Sequence, residues 1–76
     1  MLKKRPPSRL AFRIRRQSAL LSQDELAREV GVSRQTINAI ECGRWSPSLA
    51  VALRLARRLD TSVEELFTPD DAAEVR

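Results

Sequence analysis

Apolar side chains return at helical spacing along most of this chain, and the places where they stop mark out five short helices. The clearest stretch is SQDELAREVGVSRQTINAIE, from Ser22 to Glu41. Ser22 and Glu25 have capping-box spacing: the serine oxygen accepts from an orphan amide and the glutamate reaches back to the serine amide. That predicts a helix from Gln23, with Leu26, Ala27 and Val30 on one face and Gly31 ending it in a left-handed conformation. A second helix restarts with Ser33 as its N-cap. On it Ile37 and Ile40 turn inward, Arg34, Gln35 and Asn38 share the outer edge, and Glu41 closes the inward side. Further on, Leu49, Ala52, Leu53, Ala56 and Leu59 predict the core stripe of a fourth helix, with Arg54, Arg57 and Arg58 on a solvated face. Asp60-Thr61-Ser62 breaks it. Ser62 with Glu65 repeats the capping-box spacing and starts a short fifth helix carrying Val63, Leu66 and Phe67. The first helix, capped by Ser8 and running to about Ala19, is the least regular, because Leu10, Phe12 and Ile14 do not fall on one stripe.

Seventy-six residues allow one small domain, marginal enough that dimerisation would add stability. With only two glycines in the chain, the pattern reads as all-α. Cys42 is the single cysteine and histidine is absent, so one chain builds neither a disulfide framework nor a zinc site. No cofactor, metal or small-molecule ligand is expected. The amino terminus lacks the apolar stretch of a signal peptide and no segment approaches membrane-span length, which together suit a reducing cytoplasm. Charge is unevenly placed. Residues 1–16 hold seven basic and no acidic side chains, whereas residues 60–76 hold six acidic ones against Arg76. One end thus suits an anionic partner and the other faces away from it. The expected organisation is a basic flexible arm at 1–8, a helical domain at 9–67 and an acidic flexible tail at 68–76.

Two short helices joined by a tight glycine turn form a helix-turn-helix, whose second helix enters a DNA major groove. Its outer edge has suitable chemistry. Arg34 is placed to donate bidentately to guanine, Gln35 to pair with adenine or support a neighbouring guanine, and Asn38 to read a further base or a phosphate. Ser33 and Thr36 would add phosphate or methyl contacts, and Ala39 could touch only a thymine methyl. No acidic residue lies between Arg34 and Ile40, so this edge does not repel phosphate. Lys3, Lys4 and Arg5 are candidate arm contacts to phosphate or a groove, with a plain solvated tail as the alternative.

The run Ser22-Gln23-(x)-Glu25-Leu26-Ala27, then Gly31-Val32-Ser33-Arg34-Gln35-Thr36-Ile37, then Ile40-Glu41-(x)-Gly43 and Pro47-Ser48-Leu49 resembles the Cro/CI-type, or XRE-type, repressors, from about Phe12 to Phe67. The resemblance implies a compact five-helix, lambda-repressor-like DNA-binding domain, usually homodimeric and usually a bacterial or phage transcription regulator. It implies that Gln23 binds a backbone phosphate and braces the recognition helix. It also implies that the loop after that helix grips phosphate, with Gly43, Arg44 and Ser46 as candidates. Trp45 is expected to plug the loop rather than read a base. The family pairs an arginine of the first helix with the glutamate at position 41. Aligned without a gap this is Arg16, the preferred reading; one residue inserted between Ser18 and Leu21 would make it Arg15. Leu20 replaces a common glycine in that turn. In the relatives the fifth helix forms the dimer contact, here Val63, Leu66 and Phe67, although the same side chains could close the monomer core.

The expected function is sequence-specific binding of double-stranded DNA by a homodimer on an inverted-repeat operator, with repression as the outcome. One variant is an antitoxin that binds its own operator and a toxin, for which only the acidic stretch Asp70 to Glu74 speaks. A rival from another class is a helical protein–protein adaptor, which would carry acidic or apolar residues where Arg34, Gln35 and Asn38 stand. An enzyme is disfavoured because general acid–base or nucleophilic chemistry has no evident players.

Overall fold

The computed structural model describes residues 9–67, so Lys3, Lys4, Arg5, Ser8 and the acidic stretch after Phe67 lie outside it. Its elements are α1 (Leu10–Ser18), α2 (Gln23–Val30), α3 (Arg34–Glu41), α4 (Leu49–Arg58) and α5 (Val63–Phe67). Phe12, Leu26, Ile37, Ile40 and Leu55 are fully buried and draw one side chain from each of the first four helices, two from α3. Leu66 of α5 seals the core at 2% exposure. Helices α2 and α3 pack on each other, α1 lies across α3 and α5, and α4 closes against α2 and α5.

The caps explain where α2 and α3 begin and end. Ser22 Oγ accepts from the Glu25 amide at 3.0 Å and Glu25 Oε1 accepts from the Ser22 amide at 2.8 Å, completing the capping box. Gly31, at φ 83°, ends α2 while its amide and that of Val32 both donate to the Ala27 carbonyl. Ser33 then caps α3 through the Thr36 amide at 3.0 Å, and Ser48 caps α4 through Val51 at 3.2 Å.

Four expectations need correction. Helix α1 has Arg9, not Ser8, at its N-cap position, without a side-chain cap; the Arg9 amide instead donates to the Glu41 carbonyl at 3.1 Å. Only Phe12 of its three apolar positions is buried, with Leu10 and Ile14 more than half exposed. The buried stripe of α4 is Ala52, Leu55, Ala56 and Leu59, a rotation that leaves Leu49 and Leu53 at 70% and 46% exposure. That rotation also takes Arg54 and Arg58 out of plain solvent: Arg54 donates to the Val30 carbonyl at 3.1 Å and Arg58 pairs with Glu29, both at the end of α2. At α5 the box is half-made. Ser62 Oγ accepts from the Glu65 amide, but the Glu65 carboxylate turns to Thr61 Oγ1 at 2.6 Å and to Arg15 at 3.3 Å.

Candidate nucleic-acid interface

The site is a helix with one edge bolted down and the other open. Ile37, Ile40 and Glu41 are buried on the inward edge of α3, and Glu41 is the one buried charged residue among those described. Burying a carboxylate is costly unless it is fully partnered. Here Arg16 of α1 brings Nε to Glu41 Oε2 and Nη2 to Oε1 at 3.3 Å, while its Nη1 donates to the Leu21 carbonyl at 2.8 Å. Gln23, first residue of α2, donates from Nε2 to Glu41 Oε1 at 3.1 Å and to Asn38 Oδ1 at 3.2 Å. Arg13 adds a looser charge, its Nε 3.7 Å from Glu41 Oε1. One carboxylate therefore ties α1 and α2 to the far end of α3. The guanidinium it meets squarely is that of Arg16, whereas Arg15 turns away to Glu65 and the Asp60 carbonyl.

On the open edge Arg34 and Gln35 are exposed and have no partner among the described residues. Arg34 also rims a shallow depression with Asp24, Ala27, Arg28 and Val32. Asn38 and Ala39 are half-buried beside them. Ser33 and Thr36 are linked hydroxyl to hydroxyl at 2.9 Å, so both side chains are partly committed to the cap. A helix is about 10 to 12 Å across and a major groove about 12 Å wide, so this edge reaches bases without unwinding the duplex.

The flanking candidates divide by which donors remain. Gln23 has both hydrogens of its side-chain amide engaged inward, which leaves the first backbone amides of α2 as the donors a phosphate could meet at that end. Gly43, at φ 75°, spends its amide on the Ile40 carbonyl at 3.0 Å, and Arg44 spends its own on Ala39 at 2.9 Å. The Arg44 side chain stays exposed, with no partner among the described residues. Ser46 Oγ accepts from Arg9 Nη2 at 3.3 Å, a contact that binds the loop to α1. Trp45 is 50% exposed and so only half fulfils the plug expected of it.

Two arginines were missed by pattern alone. Arg9 lays its guanidinium over the Phe67 ring, 5.1 Å from its centre, and joins α1, α5 and the loop. Arg13 stands one helical turn before Arg16 on the same face, a spacing that pointed to it. The side chains expected at a dimer contact also close the monomer core: Leu66 is buried, Val63 is half-buried on the core, and Phe67 tilts against Phe12 with ring centres 6.0 Å apart. Among the described residues no cluster could hold a metal and no helix is long and apolar enough to cross a membrane.

A helix-turn-helix family model matches residues 12–66, from the first core residue of α1 to the last of α5. The chain belongs to the XRE-type helix-turn-helix family. It is 48% identical over 64 residues to an uncharacterized HTH-type transcriptional regulator of Methanothermobacter thermautotrophicus, covering 83% of this chain and 93% of that protein. Among solved structures it is similar to the restriction-modification controller protein C.AhdI of Aeromonas hydrophila, with TM-score 0.67 and 37% identity over 75% of this chain and 86% of that one. It also resembles the DNA-binding domain of the P22 c2 repressor, with TM-score 0.70 and 27% identity over 88% and 87% of the two chains. The protein is a DNA-binding transcriptional regulator and not an enzyme.

Proposed function

We propose that this XRE-type protein represses transcription by binding, as a homodimer in the cytoplasm, an inverted-repeat operator that overlaps a promoter. The observation that carries the reading is the pairing of Arg34 and Gln35, exposed and without a partner among the described residues, with an inner edge of the same helix held by a buried carboxylate. A rigid helix whose free groups are a guanidinium and an amide suits base edges, because each good two-point contact is worth about 1 to 3 kcal/mol of discrimination. Asn38 and Ala39 extend that surface, and Ser33 and Thr36 border it. Phosphate contacts fall to the starts of α2 and α4, to Arg44 and to Arg13, with Lys3, Lys4 and Arg5 reaching further along the duplex. A two-fold pair of such helices would read half-sites about one DNA turn apart. The area for a second copy lies on Leu49 and Leu53 with the open edges of Val63 and Phe67.

Selection of bound duplexes from a random pool tests this, using the intact chain and its Arg34→Ala and Gln35→Ala variants. The expected result is an inverted repeat whose preference relaxes at separate positions in the two variants. An identical, patternless pool from all three proteins would remove base reading by α3.

A further inference from the structure

We infer that Gln23 fixes the side-chain amide of Asn38 so that only donors face the DNA groove, and that the base met by Asn38 is therefore guanine or thymine. This rests on the base-reading role proposed for α3. The direction of the amide follows from obligate partners. The Glu41 carboxylate, held by Arg16, only accepts hydrogen bonds. Gln23 Nε2 lies 3.1 Å from it, so the NH2 end of the glutamine faces inward. The same nitrogen lies 3.2 Å from Asn38, where a second NH2 would set donor against donor; Asn38 therefore turns Oδ1 towards Gln23. Cys42 Sγ, at 4.0 Å, adds a thiol donor to that oxygen. Asn38 Nδ2 has no partner among the described residues.

An asparagine free to rotate recognises adenine by two-point contact, donating to N7 and accepting from N6. The held amide has lost the accepting half of that contact. Guanine offers two acceptors, N7 and O6, and thymine offers O4; adenine keeps one acceptor, N7, but beside it the N6 amine now meets a donor, and cytosine opposes a donor with its own N4 amine. Gln23 is thus a positioning residue: it touches no base, yet it sets which base Asn38 tolerates.

The test uses the selected duplex, substituted in turn with all four bases at the position whose preference relaxes in Asn38→Ala, and binding is measured at matched salt. The intact protein should bind guanine or thymine there about three- to tenfold more tightly than adenine or cytosine, the range of one net hydrogen bond. Gln23→Ala should raise adenine to parity at that position while leaving the preferences set by Arg34 untouched. Asn38→Asp, which keeps only acceptors, should move the preference to cytosine or adenine. A native preference for adenine, no position relaxed by Asn38→Ala, or a uniform loss in Gln23→Ala with no change of base order would overturn the inference and leave base reading by Arg34 and Gln35 standing. An intact protein without preference at any position would overturn both.

Discussion

Two arginine–glutamate pairs in this chain are alike in chemistry and unlike in setting, and burial decides what each contributes. In the Arg16–Glu41 pair the side chains are 11% and 1% exposed; in Arg58–Glu29 they are 42% and 43% exposed. Removing one partner of the first strands a guanidinium in the core, so Glu41→Ala should cost about 3 to 5 kcal/mol. Removing one partner of the second returns a solvated arginine to water, so Glu29→Ala should cost at most about 1 kcal/mol. Urea unfolding of the two variants should separate them clearly, and equal midpoints would show that Glu41 is not held as described. A second effect at this scale is backbone strain. Leu20 has φ 60° and is 89% exposed, so it bears the steric cost of the left-handed region with little packing in return. Leu20→Gly should raise stability by about 1 kcal/mol, seen as a higher melting temperature.

At the scale of the helix, the α2 capping box makes stability depend on acid. Hydrogen bonding from the Ser22 backbone amide, then from its side chain, lowers the Glu25 pKa below 4.5. A folded pKa below the unfolded one means that the unfolded chain binds the proton more readily. The contribution is therefore fully present above the unfolded value and is lost as pH falls through the lower, folded one. The denaturation midpoint of the native chain should exceed that of Glu25→Gln at neutral pH, and the two should converge in acid. A gap that persisted unchanged to the acid end would assign the effect to something other than the charge. The phase of α4 is also a matter for the whole element. Leu49 and Leu53 compete with Leu55 for the inward face, and the hydroxyl cap of Ser48 is silent about which wins. Packing decides it: Leu55 is fully buried with Ala52, Ala56 and Leu59, which leaves the flank with Leu49 and Leu53 in water and brings Arg54 to the Val30 carbonyl and Arg58 to Glu29.

For the whole molecule, the exposed flank of α4 matters because the proposed homodimer needs apolar area that the monomer has not already used. Leu53→Glu should leave the helical content of the domain intact, since Leu53 is 46% exposed. Across a two-fold axis the substitution acts twice. With each leucine contributing about 1.5 kcal/mol, the dissociation constant of the proposed homodimer should rise about a hundredfold. Sedimentation velocity checks this, and an unchanged dimer would move the contact elsewhere. Operator binding should weaken in parallel, whereas the steep salt dependence of binding to unrelated duplexes should remain, because it comes from the cationic surface of each protomer.

The sequence alone determined what depends on neighbours within a few residues. The serine caps of α2 and α3, the glycine stop at Gly31 and the inward pair Ile37 and Ile40 all follow from local spacing, and they place Arg34 and Gln35 on the free edge. The choice of Arg16 for Glu41 was legible only through the family pattern; the periodicity of α1 was too irregular to give it. Tertiary structure decided the rest, because those outcomes depend on which group arrives from elsewhere in the chain. It turned α4 about its axis, drew Glu65 to Arg15 instead of back to its own cap, and set Arg9 over Phe67. It also oriented Asn38 through a glutamine fifteen residues away. A cap is satisfied inside one turn of helix, whereas the direction of a half-buried amide is set by the charge at the end of its hydrogen-bond chain, and only folding brings that charge into place.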